Sequence, residues 1–161
     1  MNIHGLHHTA YRCKDSEETR QFYEDFLGLT LADAFKITLT KTGNKAHVLH
    51  SFFQMDDGSY IAFFEAPHMP FDFKEQHDFD LHLALESSAE RIAELTKIAR
   101  DKNFEVRGPV DHGMSFSTYF RDPNGYVVEL VHKKPEHDLL LEPTINNARQ
   151  TLDAWQQEKN A

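Results

Sequence analysis

The chain repeats itself. Phe52 to Phe63 reads FFQMDDGSYIAF and Tyr119 to Leu130 reads YFRDPNGYVVEL, and the two overlay without a gap. Each has two aromatics, a polar turn, a glycine, and then an apolar strand. Gly58 falls on Gly125, and Ala62 falls on Glu129. Upstream, HHTAYRCKDSEETRQFYEDFLG resembles LHLALESSAERIAELTKIARDKN in the same order, a short strand and then a helix. Self-similarity of this kind restricts the chain to folds assembled from two like units.

Local signals delimit those units. Asp15 is placed to cap a first helix, with Glu18 three residues on. Phe22, Tyr23, Phe26 and Leu27 give that helix its apolar stripe, and Gly28 stands where a C-terminal glycine belongs. A second helix starts at Ser87 or Ser88, with Glu90 three residues after Ser87, and buries Ile92, Leu95, Ile98 and Ala99. Each half then adds three strands, so each reads βαβββ. The expected fold class is α+β, with two tandem βαβββ modules forming one cupped mixed sheet around a cleft, plus a C-terminal helix. The modules are expected over residues 1–66 and 79–133. A linker over 67–78 carries Pro67, Pro70 and several charges, and a C-terminal extension covers 134–161. The last helix follows Pro143, because Ile145, Ala148, Leu152 and Trp155 fall on one face.

Strand side chains alternate, so each strand's two faces can be separated. In Phe79 to Glu86, Leu81, Leu83 and Leu85 form the apolar face, and Asp80, His82, Ala84 and Glu86 form the other. The same register groups Leu6, His8, Ala10 and Arg12 in the first half. In the last strand Val127, Glu129 and Val131 share a face. A bare carboxylate in such an apolar run is costly unless it is paired, hydrogen-bonded or bound to a metal. His8, His82 and Glu129 therefore make a candidate facial triad of two histidines and a carboxylate, which binds a divalent metal and leaves coordination positions open. Taken singly, a strand histidine is more often hydrogen-bonded or exposed than a ligand, and a strand glutamate usually faces water. The coincidence of three matched positions is what raises the metal reading.

Composition narrows the partners. Seventeen basic residues against 26 acidic ones leave a formal charge of −9, which disfavours nucleic acid and anionic membranes as partners. No apolar run reaches the roughly 18 residues of a membrane span, and MNIHGLHHTA lacks the basic start and apolar stretch of a signal peptide. The lone Cys13 excludes an internal disulfide, so the expected setting is a reducing cytoplasm.

These residues together resemble the vicinal oxygen chelate superfamily. That group includes glyoxalases, methylmalonyl-CoA epimerases, fosfomycin-resistance and bleomycin-resistance proteins, and extradiol dioxygenases. The resemblance covers Gly5 to Lys133 and rests on His8 with Asp15, the helix SEETRQFYEDFLGL, LHLALE and DPNGYVVEL. It implies a single metal held by His8, His82 and Glu129 in a cup of paired modules. Within the superfamily, VDHGMSFSTYFRDPNGYVVE is most similar to the signature of the extradiol ring-cleaving branch. That likeness implies Fe(II), a catechol-like substrate, and hydrogen-bonding roles for Tyr119 and His112. Thr118 departs from it, standing where the signature has a large apolar residue. The branch also carries an acid–base histidine where this chain has Gly58 and Ser59, and His50 in HSFFQM is the candidate substitute.

Other members imply other chemistry. Glyoxalases and epimerases use a fourth ligand, but Ala62 occupies that place here. Fosfomycin-type transferases share the two-histidine, one-glutamate set, commonly with Mn(II), so Mn, Ni or Zn are alternatives to iron. The bleomycin-binding relatives sequester a drug without a metal. The expected partners are a small, aromatic substrate and a second copy of the chain as a homodimer, with Leu152 and Trp155 covering the domain or a second subunit.

Overall fold

The computed structural model describes residues 2–77 and 79–159. Met1, Asp78, Asn160 and Ala161, which fall in the expected first module, linker and C-terminal extension, lie outside the described residues. The first half runs β1 (His8–Cys13), α1 (Ser16–Arg20), β2 (Thr30–Leu39), β3 (Lys45–Gln54) and β4 (Tyr60–Glu65). Beyond Arg20 the helix widens into a π-helical segment, Gln21–Phe26. The second half runs β5 (Leu83–Glu86), α2 (Ala89–Asp101), β6 (Val106–Asp111), β7 (Ser115–Arg121) and β8 (Val127–Lys133). Two helices follow, α3 (His137–Leu140) and α4 (Ala148–Glu158).

The internal repeat is a repeat of topology. The strand orders are β1-β4-β3-β2 and β5-β8-β7-β6, and in each sheet the first pair is parallel and the rest antiparallel. The expected single cup is, within one chain, two four-stranded mixed sheets. The modules meet through side chains on their backs instead of through paired edges. Phe22, Tyr23, Phe26 and Leu27, the sheet residues Phe53, Ile61 and Phe63, the α2 residues Ile92, Leu95 and Ala99, and Phe120, Val128 and Leu130 form one buried cluster. Sheet alternation then turns the other face of each sheet away from that shared core.

The helix caps fall where expected, and one strand is shorter than expected. Asp15 caps α1 through the Glu18 amide at 2.8 Å, as its spacing implies. The α2 cap is Ser88, the second of the two expected positions, accepting from the Arg91 amide at 3.1 Å. The strand expected over Phe79 to Glu86 begins only at Leu83. Its partner β8 starts at Val127, and Leu83 already pairs with Val128, so residues before His82 have no partner strand to extend along.

The turn before β8 joins the modules. Tyr23 OH donates to Asp122 Oδ2 at 3.1 Å, Asn124 Nδ2 to Thr19 Oγ1 at 3.2 Å, the Lys14 amide to Asn124 Oδ1 at 2.7 Å, and Tyr126 OH to the Arg12 carbonyl at 2.9 Å. Gly125 has φ +103°, and a Cβ there would lie 3.0 Å from the Phe73 ring of the linker. Gly125→Ala is therefore expected to lose about 1–3 kcal/mol, measured by urea denaturation, from strain and from displacement of Phe73.

Candidate functional site

Glu129 is buried in the middle of β8, between Ala84 on β5 and Tyr119 on β7. Val128 and Leu130 face the core on either side of it, so the carboxylate points to the opposite face. His82, just ahead of β5, answers it: Nε2 lies 3.2 Å from Glu129 Oε2. The histidine side chain is 40% exposed and the glutamate 10%, so the pair has one wet and one dry partner. Small Ala84 leaves room beside the carboxylate.

Tyr119 extends the arrangement. Its hydroxyl is 2.8 Å from His112 Nε2, and its ring lies 4.6 Å beneath the Arg107 guanidinium. Burial first, and then the charge of Glu129 and a hydrogen bond to it, hold the Tyr119 phenol above its ordinary value; Ser117 and Arg107 oppose this. The phenol therefore keeps its proton at neutral pH and remains a donor. Four of the expected site residues, His82, Glu129, Tyr119 and His112, thus form one contiguous line on the open face of the second sheet.

The other two lie on the first sheet. His8 is exposed, with Nδ1 2.7 Å from His7 Nδ1 and its ring 5.6 Å from Phe52. His50 is buried, its Nδ1 2.9 Å from the Phe63 carbonyl oxygen and its ring stacked on Phe64 at 3.7 Å. Phe35 and Phe52 flank it at 5.4 and 4.3 Å. This face is an apolar aromatic surface with His8 at its edge. Among the described residues, no group of three or more His, Cys, Asp or Glu side chains is placed to hold a metal ion. Two donors, His82 and Glu129, fit a divalent cation within the chain, and His8 is not gathered with them.

Arg107 escaped the sequence reading. It reaches Tyr119 by cross-strand pairing, β6 to β7, just before a register shift between Arg107 and Val110. A strand partner is set by register, and nothing in the sequence around Arg107 marks it.

The sequence pattern of the Glyoxalase/Bleomycin resistance protein/Dioxygenase superfamily matches residues 5–130. The chain belongs to this superfamily. Its members are mostly metal-dependent enzymes, and many of them bind a divalent metal. A 31-residue stretch is 58% identical to biphenyl-2,3-diol 1,2-dioxygenase 3 of Rhodococcus globerulus; it covers 19% of this chain and 16% of that enzyme. This chain therefore matches well under two thirds of that relative's length. Among solved structures, a glyoxylase/bleomycin resistance protein/dioxygenase domain from Frankia sp. EAN1pec superposes with a TM-score of 0.68 at 12% identity, over 83% of this chain and all of that one. The fosfomycin resistance protein FosX of Listeria monocytogenes, solved with Mn(II) and sulfate, gives 0.63 at 22% identity over 85% of this chain and 98% of that one. At these identities the superfamily likeness to the solved structures is one of fold. No described helix is long and apolar enough to cross a membrane.

Proposed function

We propose that the protein is a divalent-metal enzyme of this superfamily that cleaves the ring of a catechol-like substrate with dioxygen, using Fe(II). The observation that carries this reading is the line His82–Glu129–Tyr119–His112, with its 3.2 Å and 2.8 Å contacts. The short stretch of high identity to a biphenyl-diol dioxygenase supports the same branch.

His82 and Glu129 would hold the metal, with His8 as the third ligand. Because His8 sits on the other sheet, its natural source is a second copy, whose first sheet closes over this chain's second sheet to make the cup. The bound metal supplies a Lewis-acid and redox centre with open positions. The protonated Tyr119 hydroxyl donates to a substrate oxygen, and His112 beside it accepts or returns a proton. Arg107 limits the swing of the Tyr119 ring. The Phe35, Phe52 and Phe64 surface, with His50 packed into it, offers an apolar wall for an aromatic ring and excludes water.

Protein loaded anaerobically with Fe(II) and challenged with a catechol panel is expected to consume oxygen and form a visible ring-fission chromophore. No uptake by protein shown to hold iron would reject ring cleavage and favour Mn-, Ni- or Zn-dependent isomerase or transferase chemistry. Tyr119→Phe is expected to lower kcat by about 10²–10⁴-fold with metal content unchanged. His8→Ala and His82→Ala chains, each inactive alone, should on mixing regain about a quarter of wild-type activity, the statistical share for sites completed across a two-fold. Failure to regain any would reject a site completed across two chains.

A further inference from the structure

Arg12 carries a charge that no described carboxylate answers. It stands on β1 four residues after His8, so the two side chains share the open face. Nη2 donates to the Met69 carbonyl at 3.1 Å, and Nη1 has only the Met69 thioether at 4.0 Å. Nε is buried without a hydrogen-bond partner. Among the described residues no aspartate or glutamate pairs with this guanidinium. A guanidinium keeps its charge in a folded protein, and a half-buried charge is costly unless it is paired. The missing partner is an anion from outside the chain.

That side chain lines a cavity of about 350 Å³ between β1 and the linker. Tyr11, Phe71, Phe73 and Tyr126 form its aromatic walls. The Tyr126 ring braces two of them, lying 5.1 Å from Tyr11 and 5.4 Å from Phe73. Arg12, Lys74 and Asp72 are the charged groups of the lining, two cations against one carboxylate, in a chain whose net charge is −9. Ala10 is exposed, lines the cavity as well, and lies between His8 and Arg12 on β1. The cavity is therefore continuous with the face that carries His8. Four strand residues separate Arg12 from His8 by about 13 Å.

We propose that this cavity receives a carboxylate of the substrate, so that the preferred ring carries a short acid side chain on the end away from the metal. Arg12 is the residue that selects it. The diol half of this assignment rests on the ring-cleaving reading above, whereas the anion site stands on the cavity alone. A carboxylate at Nη1 replaces the weak thioether contact with a charge-assisted hydrogen bond. The aromatic walls take the methylenes of the side chain out of water. Asp72 repels a second negative charge, so a singly charged carboxylate suits the lining better than a phosphate dianion. Met69 is 50% exposed and can move aside without disturbing the core.

Calorimetric titration of the full-length protein with 3-phenylpropionate and with its neutral amide tests the anion site without any turnover. The acid is expected to bind about 10–100-fold more tightly than the amide. Arg12→Gln is expected to erase that preference by weakening the acid alone. Equal affinity for acid and amide in the wild type would overturn the proposal, whether or not the variant folds. A preference for the acid that survives in Arg12→Gln would overturn it too, because another cation would then hold the carboxylate. In iron-loaded protein, Arg12→Gln should raise KM for 3-(3,4-dihydroxyphenyl)propionate relative to that for 4-methylcatechol by about the same 10–100-fold. A ratio that does not move would remove Arg12 as the selecting residue. If neither catechol is cleaved while the acid still binds through Arg12, the ring-cleaving reading fails and the anion site stands.

Discussion

Glu129→Gln is expected to strip the metal while leaving the protein folded. Glutamine has the volume of glutamate, so the packing of β8 against Ala84 and Tyr119 survives. What is lost is the negative charge that a divalent cation needs opposite two neutral imidazoles. Losing a partner that merely orients a ligand weakens metal binding by about 10–100-fold, so losing a direct ligand should cost at least about 100-fold in affinity. Elemental analysis after dialysis should read near zero metal per chain, with unchanged far-ultraviolet dichroism. The competing account of Glu129 is a simple pair with His82 at 3.2 Å. Full metal retention in this variant would establish that account and remove Glu129 from the ligand set.

The second large effect belongs to a residue outside the metal face. Asp122→Ala is expected to destabilise the protein by about 3–5 kcal/mol. Asp122 is 4% exposed and accepts four hydrogen bonds: from the amides of Asn124 (2.9 Å) and Tyr126 (2.7 Å), from Asn124 Nδ2 (3.0 Å) and from Tyr23 OH (3.1 Å). Alanine leaves those donors buried without an acceptor. It also frees the turn that ties the second module to the first helix. Tyr23→Phe removes one of the four and should cost about 1.5–3 kcal/mol. Midpoints of urea denaturation would measure both.

The same carboxyl has a pH signature. Burial raises the Asp122 pKa, and the bonds from Asn124, Tyr126 and Tyr23 offset this only in part. A raised folded-state value means that the folded protein binds this proton more tightly than the unfolded chain does. The associated stability is present below the ordinary aspartate range and is lost as pH rises through the shifted value. The margin of wild type over Asp122→Ala should therefore be wider at acid pH and narrower near neutrality. A margin that instead grows with pH would show that the hydrogen bonds outweigh the burial.

Much of this was legible because it is local. The alternation around Glu129 put that carboxylate on the face opposite Val128 and Leu130, and the structure keeps it there. The Asp15 cap, the Phe22–Leu27 stripe and the glycine at position 28 marked the first helix from fourteen residues. Tyr119 and His112 were grouped by resemblance and are found 2.8 Å apart. Three things were not legible. DPNG read as a turn that starts a strand, yet Asp122 and Asn124 also clamp the two modules. His50 was assigned to the same catalytic group as Tyr119, but it stacks on Phe64 in the other sheet. Arg107 carried no signal at all.

The amino-acid sequence by itself determined the two βαβββ units, their helix caps and which side chains share a face, since a period of two or 3.6 residues and a capping side chain act over a few positions. The tertiary structure alone decided that the modules join back to back through one buried core. That choice depends on how all the apolar surface of both halves can be removed from water at once, and no local pattern encodes it. It is also what turns His8 and His82 onto separate sheets.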